Sequence, residues 1–90
     1  MRVPEERQTQ PLRRQLPLTE LETGQTAIIV SLEGGHGARQ RLRSLGILEG
    51  RRIRKISRIG KIGPVVLLVD RAQVAIGHGM AKKILVQAHE

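Results

Sequence analysis

Apolar residues fall in short runs separated by glycine-rich breaks. Ala27-Ile-Ile-Val30 is continuous and β-branched, so Gln25 to Leu32 reads as a strand with Ile28, Val30 and Leu32 toward the core. Ala38, Leu42 and Leu45 recur at i, i+4 and i+7, which predicts a helix of about two turns over Ala38–Leu45. Gly46 fits the position just past its end. Ile53, Ile56 and Ile59 are three apart, a helix-like spacing between Gly50 and Gly60. A strand with a bulge restores the pattern. Gly60-Lys-Ile-Gly-Pro64 reads as a hairpin loop. Val65–Val69 is apolar throughout and reads as a central strand. Asp70-Arg71 makes a tight turn, and Ala72–Ile76 alternates with Val74 and Ile76 on one face. Gly77–Lys82 breaks regularity, and Lys83–Gln87 is the last strand.

Two further stretches complete the order. Pro17–Gly24 has the residues of a turn, with Thr19 as a cap and Gly24 in the left-handed region. Residues 1–16 hold two prolines, three Gln, four Arg and two Glu with few aliphatics. Such a segment buries too little to offset its ordering entropy, so it reads as a disordered basic arm, with a folded domain over 17–90. Five short strands with one helix between the first two predict a mainly β, small barrel.

Composition narrows the chemistry. The 90 residues contain no Cys and no aromatic residue, so the core must be aliphatic. Disulfide scaffolds and thiolate zinc sites are excluded. Base stacking on aromatic side chains is excluded too. The longest aliphatic run, Val65–Val69, is far short of the ~20 residues of a spanning helix, and no apolar leader precedes the domain. A cytoplasmic protein is the expectation.

No catalytic grouping stands out. Ser31, Ser44 and Ser57 lie in no nucleophile pattern, and Glu33 and Glu49 are the only acids near the glycine-rich segments. An enzyme is not expected. His36 and His78 each sit between glycines, and with Glu33 they are weak metal candidates that read better as exposed loop residues. No cofactor is expected. Gly34-Gly-His-Gly37 precedes the helix but matches no phosphate-loop pattern, so Gly34, Gly35 and Gly37 are read as a structural turn. Charge is concentrated: Arg39–Lys61 holds nine Lys/Arg and one acid, against a whole-chain net of +8. That stretch suits nucleic acid, anionic lipid or an acidic protein, or simply a solvated face.

A series of motifs then gives a resemblance. Leu18-Thr-Glu-Leu-Glu-Thr-Gly24, Ile28-Ile-Val30, Gly34-Gly-His-Gly37, Arg39-Gln-Arg-Leu42, Ser44-Leu-Gly-Ile47 and Gly50 occur in the order of the ferrous iron transport protein A (FeoA) family. Gly63-Pro-Val65, Val74-Ala-Ile76 and Ile84-Leu-Val86 continue it, so Pro17–Gln87 resembles that family. The resemblance implies an SH3-like barrel without catalytic residues. It implies a cytosolic accessory of the membrane transporter FeoB, with no small-molecule substrate and with the membrane reached only through the partner. Similar domains close DtxR-like metal-dependent repressors. On this reading Leu42, Leu45 and Ile47 dock the helix, Arg39, Arg41 and Arg43 face the partner, and Gly46 and Gly50 are hinges. A nucleic-acid-binding barrel and a metal-sensing module are the alternatives; oligomeric state stays open. Gly77, Ile59-Gly-Lys-Ile62 and Lys55, which stands where an apolar strand residue is common, depart from the family pattern.

Overall fold

The structure is a computed structural model that describes residues 14–88. In chain order it contains β1 (Gln15–Pro17), a 3-10 turn (Leu18–Glu20), β2 (Thr26–Leu32), α1 (His36–Ser44), β3 (Arg52–Arg58), β4 (Val65–Val69), β5 (Ala72–Ile76), α2 (His78–Ala81) and β6 (Ile84–Ala88). The strands form one antiparallel sheet in the order β1-β6-β2-β3-β4-β5. The mainly β architecture with a helix after the first long strand is the one the sequence predicts.

The strand count differs from that expectation: six rather than five. The additional strand, β1, crosses the expected boundary between arm and domain and pairs Leu16 with Val86. Three residues are too few to show a period, and Leu16 is held because it packs on the core edge. The rest of the predicted arm, residues 1–13, lies outside the described residues. Thr19 does not cap the following turn: it lies inside it, and Pro17 takes the cap position with no side-chain hydrogen bond. Gly24 does adopt positive φ, and its N–H donates to the Lys55 carbonyl at 2.6 Å.

The core is wholly aliphatic apart from one lysine. Its phase in β2 is opposite to the predicted one. Ala27 and Ile29 are buried, Ile28 and Val30 are only half-buried, and Leu32 alone of the predicted three is fully inside. The register against β6 shifts between Ile29 and Ser31, and that extra residue returns Leu32 to the inner face. A continuous β-branched run hides this choice, because either alternation looks apolar.

The bulge expected in β3 is present, where the pairing with β4 shifts between Lys55 and Ser57. It does not rescue all three isoleucines. Ile53 is buried, Ile56 is half-buried and Ile59 lies beyond the strand in solvent, while Lys55 takes the inner position beside Leu67. The bulge also separates basic residues. Arg54 pairs with the outward Leu68, but Arg58 pairs with the inward Val65, so Arg52, Arg54 and Arg58 do not share one face.

Candidate partner-docking surface

Helix α1 is specified by its ends. Gly34 at φ +104 turns the chain out of β2, and Gly35 takes the N-cap in extended geometry. The helix thus starts at His36, two residues before the predicted start, and Gly37 lies inside its first turn rather than in the loop. At the other end Leu45 is the C-cap and Gly46 sits at φ +90. The Gly46 N–H donates to the Arg43 carbonyl and the Ile47 N–H to the Leu42 carbonyl, both at 3.0 Å. This is a Schellman motif, and its usual apolar contact partners, Leu42 and Ile47, are both fully buried. Leu42-x-x-x-Gly46-Ile47 is therefore a helix stop with its own hydrophobic clasp.

That geometry corrects the role expected of Leu45. The predicted stripe counted it as core at i+7, but the helix ends at Ser44 and the clasp uses Ile47 instead. Leu45 is 41% exposed. Gly50, at φ +87, hands the chain to β3, and its N–H donates to the Ile29 carbonyl at 2.7 Å.

Leu45 borders a groove of about 420 Å³ shared with Arg41 of α1, Ala75 and Ile76 of β5, Gly77, and Met80 of α2. Its floor is apolar and Arg41 stands at its rim. A second hollow, about 300 Å³, lies on the outer face of β2, β3 and β4, where Thr26, Arg52, Arg54 and Asp70 surround Leu68 and Ile53. Of the residues expected to face a partner, Arg41 and Arg43 are exposed and Arg39 is half-buried with an unpartnered Nε. Leu42 and Ile47 are inaccessible. Sequence reasoning missed Ala75, Ile76, Gly77 and Met80, which lie about thirty residues downstream; no local pattern links them to α1.

The basic stretch is dispersed and partly occupied. Arg43 pairs with Glu49 at 3.4 Å and Arg51 with Asp70 at 2.8 Å. Arg54 donates to the Gly24 carbonyl at 3.2 Å and Arg58 to the Thr19 carbonyl at 3.4 Å. Lys55, 3% exposed, donates to the Leu21 carbonyl at 2.5 Å and the Thr19 carbonyl at 3.3 Å. Burial pulls its ammonium below the ordinary lysine value, and the nearby Arg58 charge adds to the effect. β3 therefore holds the 19–24 connection with three cations. The remaining basic residues, Arg39, Arg41, Arg52 and Lys61, lie on α1, on the outer sheet face and at the β3–β4 turn.

His36 opens α1 in solvent and His78 opens α2 with its Nδ1 buried and unpartnered. Among the described residues, no group of three or more His, Asp or Glu side chains stands close enough to hold a metal ion. No helix among them is long and apolar enough to cross a membrane.

Comparison with known proteins agrees with this architecture. The family model of the FeoA domain matches residues 16–88. A chain assigned as Fe(2+) transport protein A in Methanocaldococcus jannaschii is 36% identical over 74 residues, covering 82% of this chain and 88% of the relative. A crystal structure titled iron uptake regulatory protein (FeoA) superposes with TM-score 0.77 at 34% identity, covering 84% of this chain and 99% of that one. A manganese-dependent transcriptional repressor superposes with TM-score 0.78 at 22% identity, covering 86% of this chain but 43% of its own, which shows a shared fold alone.

Proposed function

We propose that this chain, which belongs to the FeoA domain family, is a cytoplasmic accessory of ferrous iron transport that docks on the cytoplasmic part of a FeoB-type membrane transporter. The observation that carries the docking reading is the groove beside α1. Its floor of Ala75, Ile76 and Met80 continues to the exposed Leu45, and Arg41 stands at its rim. An apolar floor with a cationic rim suits an apolar anchor flanked by acids.

Two alternatives from the residues fare less well. Five of the nine cations in Arg39–Lys61 are in ion pairs, on backbone carbonyls or buried, which leaves too dispersed a set for a phosphate track. A metal-sensing site lacks a ligand cluster among the described residues.

The test is a binding titration of the full chain against the purified cytoplasmic region of the transporter from the same source. Arg41→Glu and Leu45→Asp should each weaken binding by roughly tenfold or more, about 1.4 kcal/mol, at a temperature where circular dichroism shows both variants folded. Unchanged affinity in both variants, or no binding by the wild-type chain, overturns the reading.

A further inference from the structure

The β3–β4 hairpin combines two features that the groove does not use. First, its tip is apolar and exposed. Ile59 and Ile62 are 64% and 76% exposed, and Leu45 is the only other exposed large hydrophobic residue among those described. Second, the hairpin carries one sign of charge. Residues 52–69 contain Arg52, Arg54, Lys55, Arg58 and Lys61 and no acid. Lys61 lies between the two isoleucines and is exposed, as is Arg58, which also donates to the Thr19 carbonyl.

The tip is fixed in shape. The Ile59 N–H donates to the Pro64 carbonyl at 3.1 Å, closing the turn. A Cβ on Gly63 would lie 1.7 Å from the Ile59 carbonyl oxygen, so only glycine lets the chain fold back this tightly. Neither isoleucine side chain is needed to close that turn, and both remain mostly in solvent. Two exposed isoleucines within four residues on one turn are apolar surface that a partner can cover.

We propose that this hairpin tip is a membrane-contacting element that inserts Ile59 and Ile62 into the interface of an anionic lipid surface, with the exposed Lys61 against the headgroups. The shape favours lipid over a protein. Ile59 and Ile62 are the two most exposed large hydrophobic residues among those described, and neither of the two hollows described above includes them. Interfacial insertion combines exposed apolar groups with nearby cations, and here the exposed Lys61 lies between the two isoleucines in sequence. Each basic residue near an anionic leaflet adds attraction that fades within a Debye length. This contact is independent of the groove and holds whether or not the groove engages a transporter.

The chain has no tryptophan, so a single introduced one reports on the tip alone. Full-length Ile62→Trp is mixed with vesicles of phosphatidylcholine and phosphatidylglycerol at about 0.05 M salt, where screening is weak. The expected result is a blue-shifted emission with the anionic vesicles and none with phosphatidylcholine alone. In flotation, the wild-type chain should bind the anionic vesicles and release them at about 0.5 M salt. The Ile59→Ser/Ile62→Ser double variant should lose about tenfold in vesicle affinity with an unchanged circular dichroism spectrum. Lys61→Glu should weaken binding in the same direction. An unshifted emission overturns the proposal. So does a serine double variant that binds vesicles as well as wild type, because binding would then be electrostatic alone. A wild-type chain that ignores vesicles but retains duplex DNA also overturns it.

Discussion

Lys55 occupies a core position beside Leu67 and donates hydrogen bonds to the Leu21 and Thr19 carbonyls. Its native pKa is lowered, chiefly by burial, from an ordinary value of 10.5. Between that lowered value and 10.5 the unfolded chain holds a proton that the native chain has released. Stability attributable to Lys55 therefore rises with pH across that window and levels off above 10.5. Thermal unfolding of wild type and Lys55→Met, followed from neutral pH to about pH 10.5, should show the rise in wild type and its loss in the variant. Leu42 and Leu45 make a second contrast at this scale. Both look apolar in sequence, but only Leu42 is buried. Leu42→Ala should cost about 2–5 kcal/mol, whereas Leu45→Ala should stay within about 0.5–1 kcal/mol; chemical denaturation checks both.

At the scale of elements, the ends of helices and hairpins carry more information than their middles. α1 is short for an isolated helix, and it persists because a Schellman motif stops it and the Leu42–Ile47 clasp anchors it. Gly46→Ala should destabilise by about 1 kcal/mol, since a side chain at φ +90 is strained while space remains toward Val69. Gly63→Ala should cost more, about 2–4 kcal/mol or a displaced turn, because the added carbon meets the Ile59 backbone. Denaturant midpoints of the two variants give the ranking. The motif around Leu42 to Ile47 was legible in sequence, and its role as a helix end followed from Gly46. Both clasp residues, Leu42 and Ile47, were among those expected to dock the helix; helical periodicity wrongly added Leu45 to them.

For the molecule as a whole, charge sets two opposite dependences on salt. A net charge of +8 on 90 residues opposes compaction through self-repulsion. Only two ion pairs occur among the described residues, Arg43–Glu49 and Arg51–Asp70, and both are at the surface. Raising salt from about 0.01 M to 0.15 M should therefore raise Tm, while the same change weakens binding to an acidic partner or anionic vesicle. Calorimetry and a binding titration in one buffer series check the pair of signs. The topology adds a further constraint. β6 lies between β1 and β2, so the last strand closes against the first residues of the domain. That pairing makes the sheet depend on both ends of residues 14–88 and argues for one cooperative transition.

The sequence by itself determined the aliphatic core, the positions of the breaks, the helix stop at Gly46 and the family. Those are local: composition limits what can be buried, and glycine marks where the backbone must take positive φ. Tertiary structure alone decided the phase of β2, the inward turn of Lys55, the exposure of Leu45 and the splitting of Arg58 from Arg52 and Arg54. Each depends on a one-residue register shift or on a partner strand, and a run such as Ala27-Ile-Ile-Val30 carries no mark of where its bulge falls. The groove has the same origin, since Arg41 and Leu45 meet Ala75, Ile76 and Met80 only when distant elements pack.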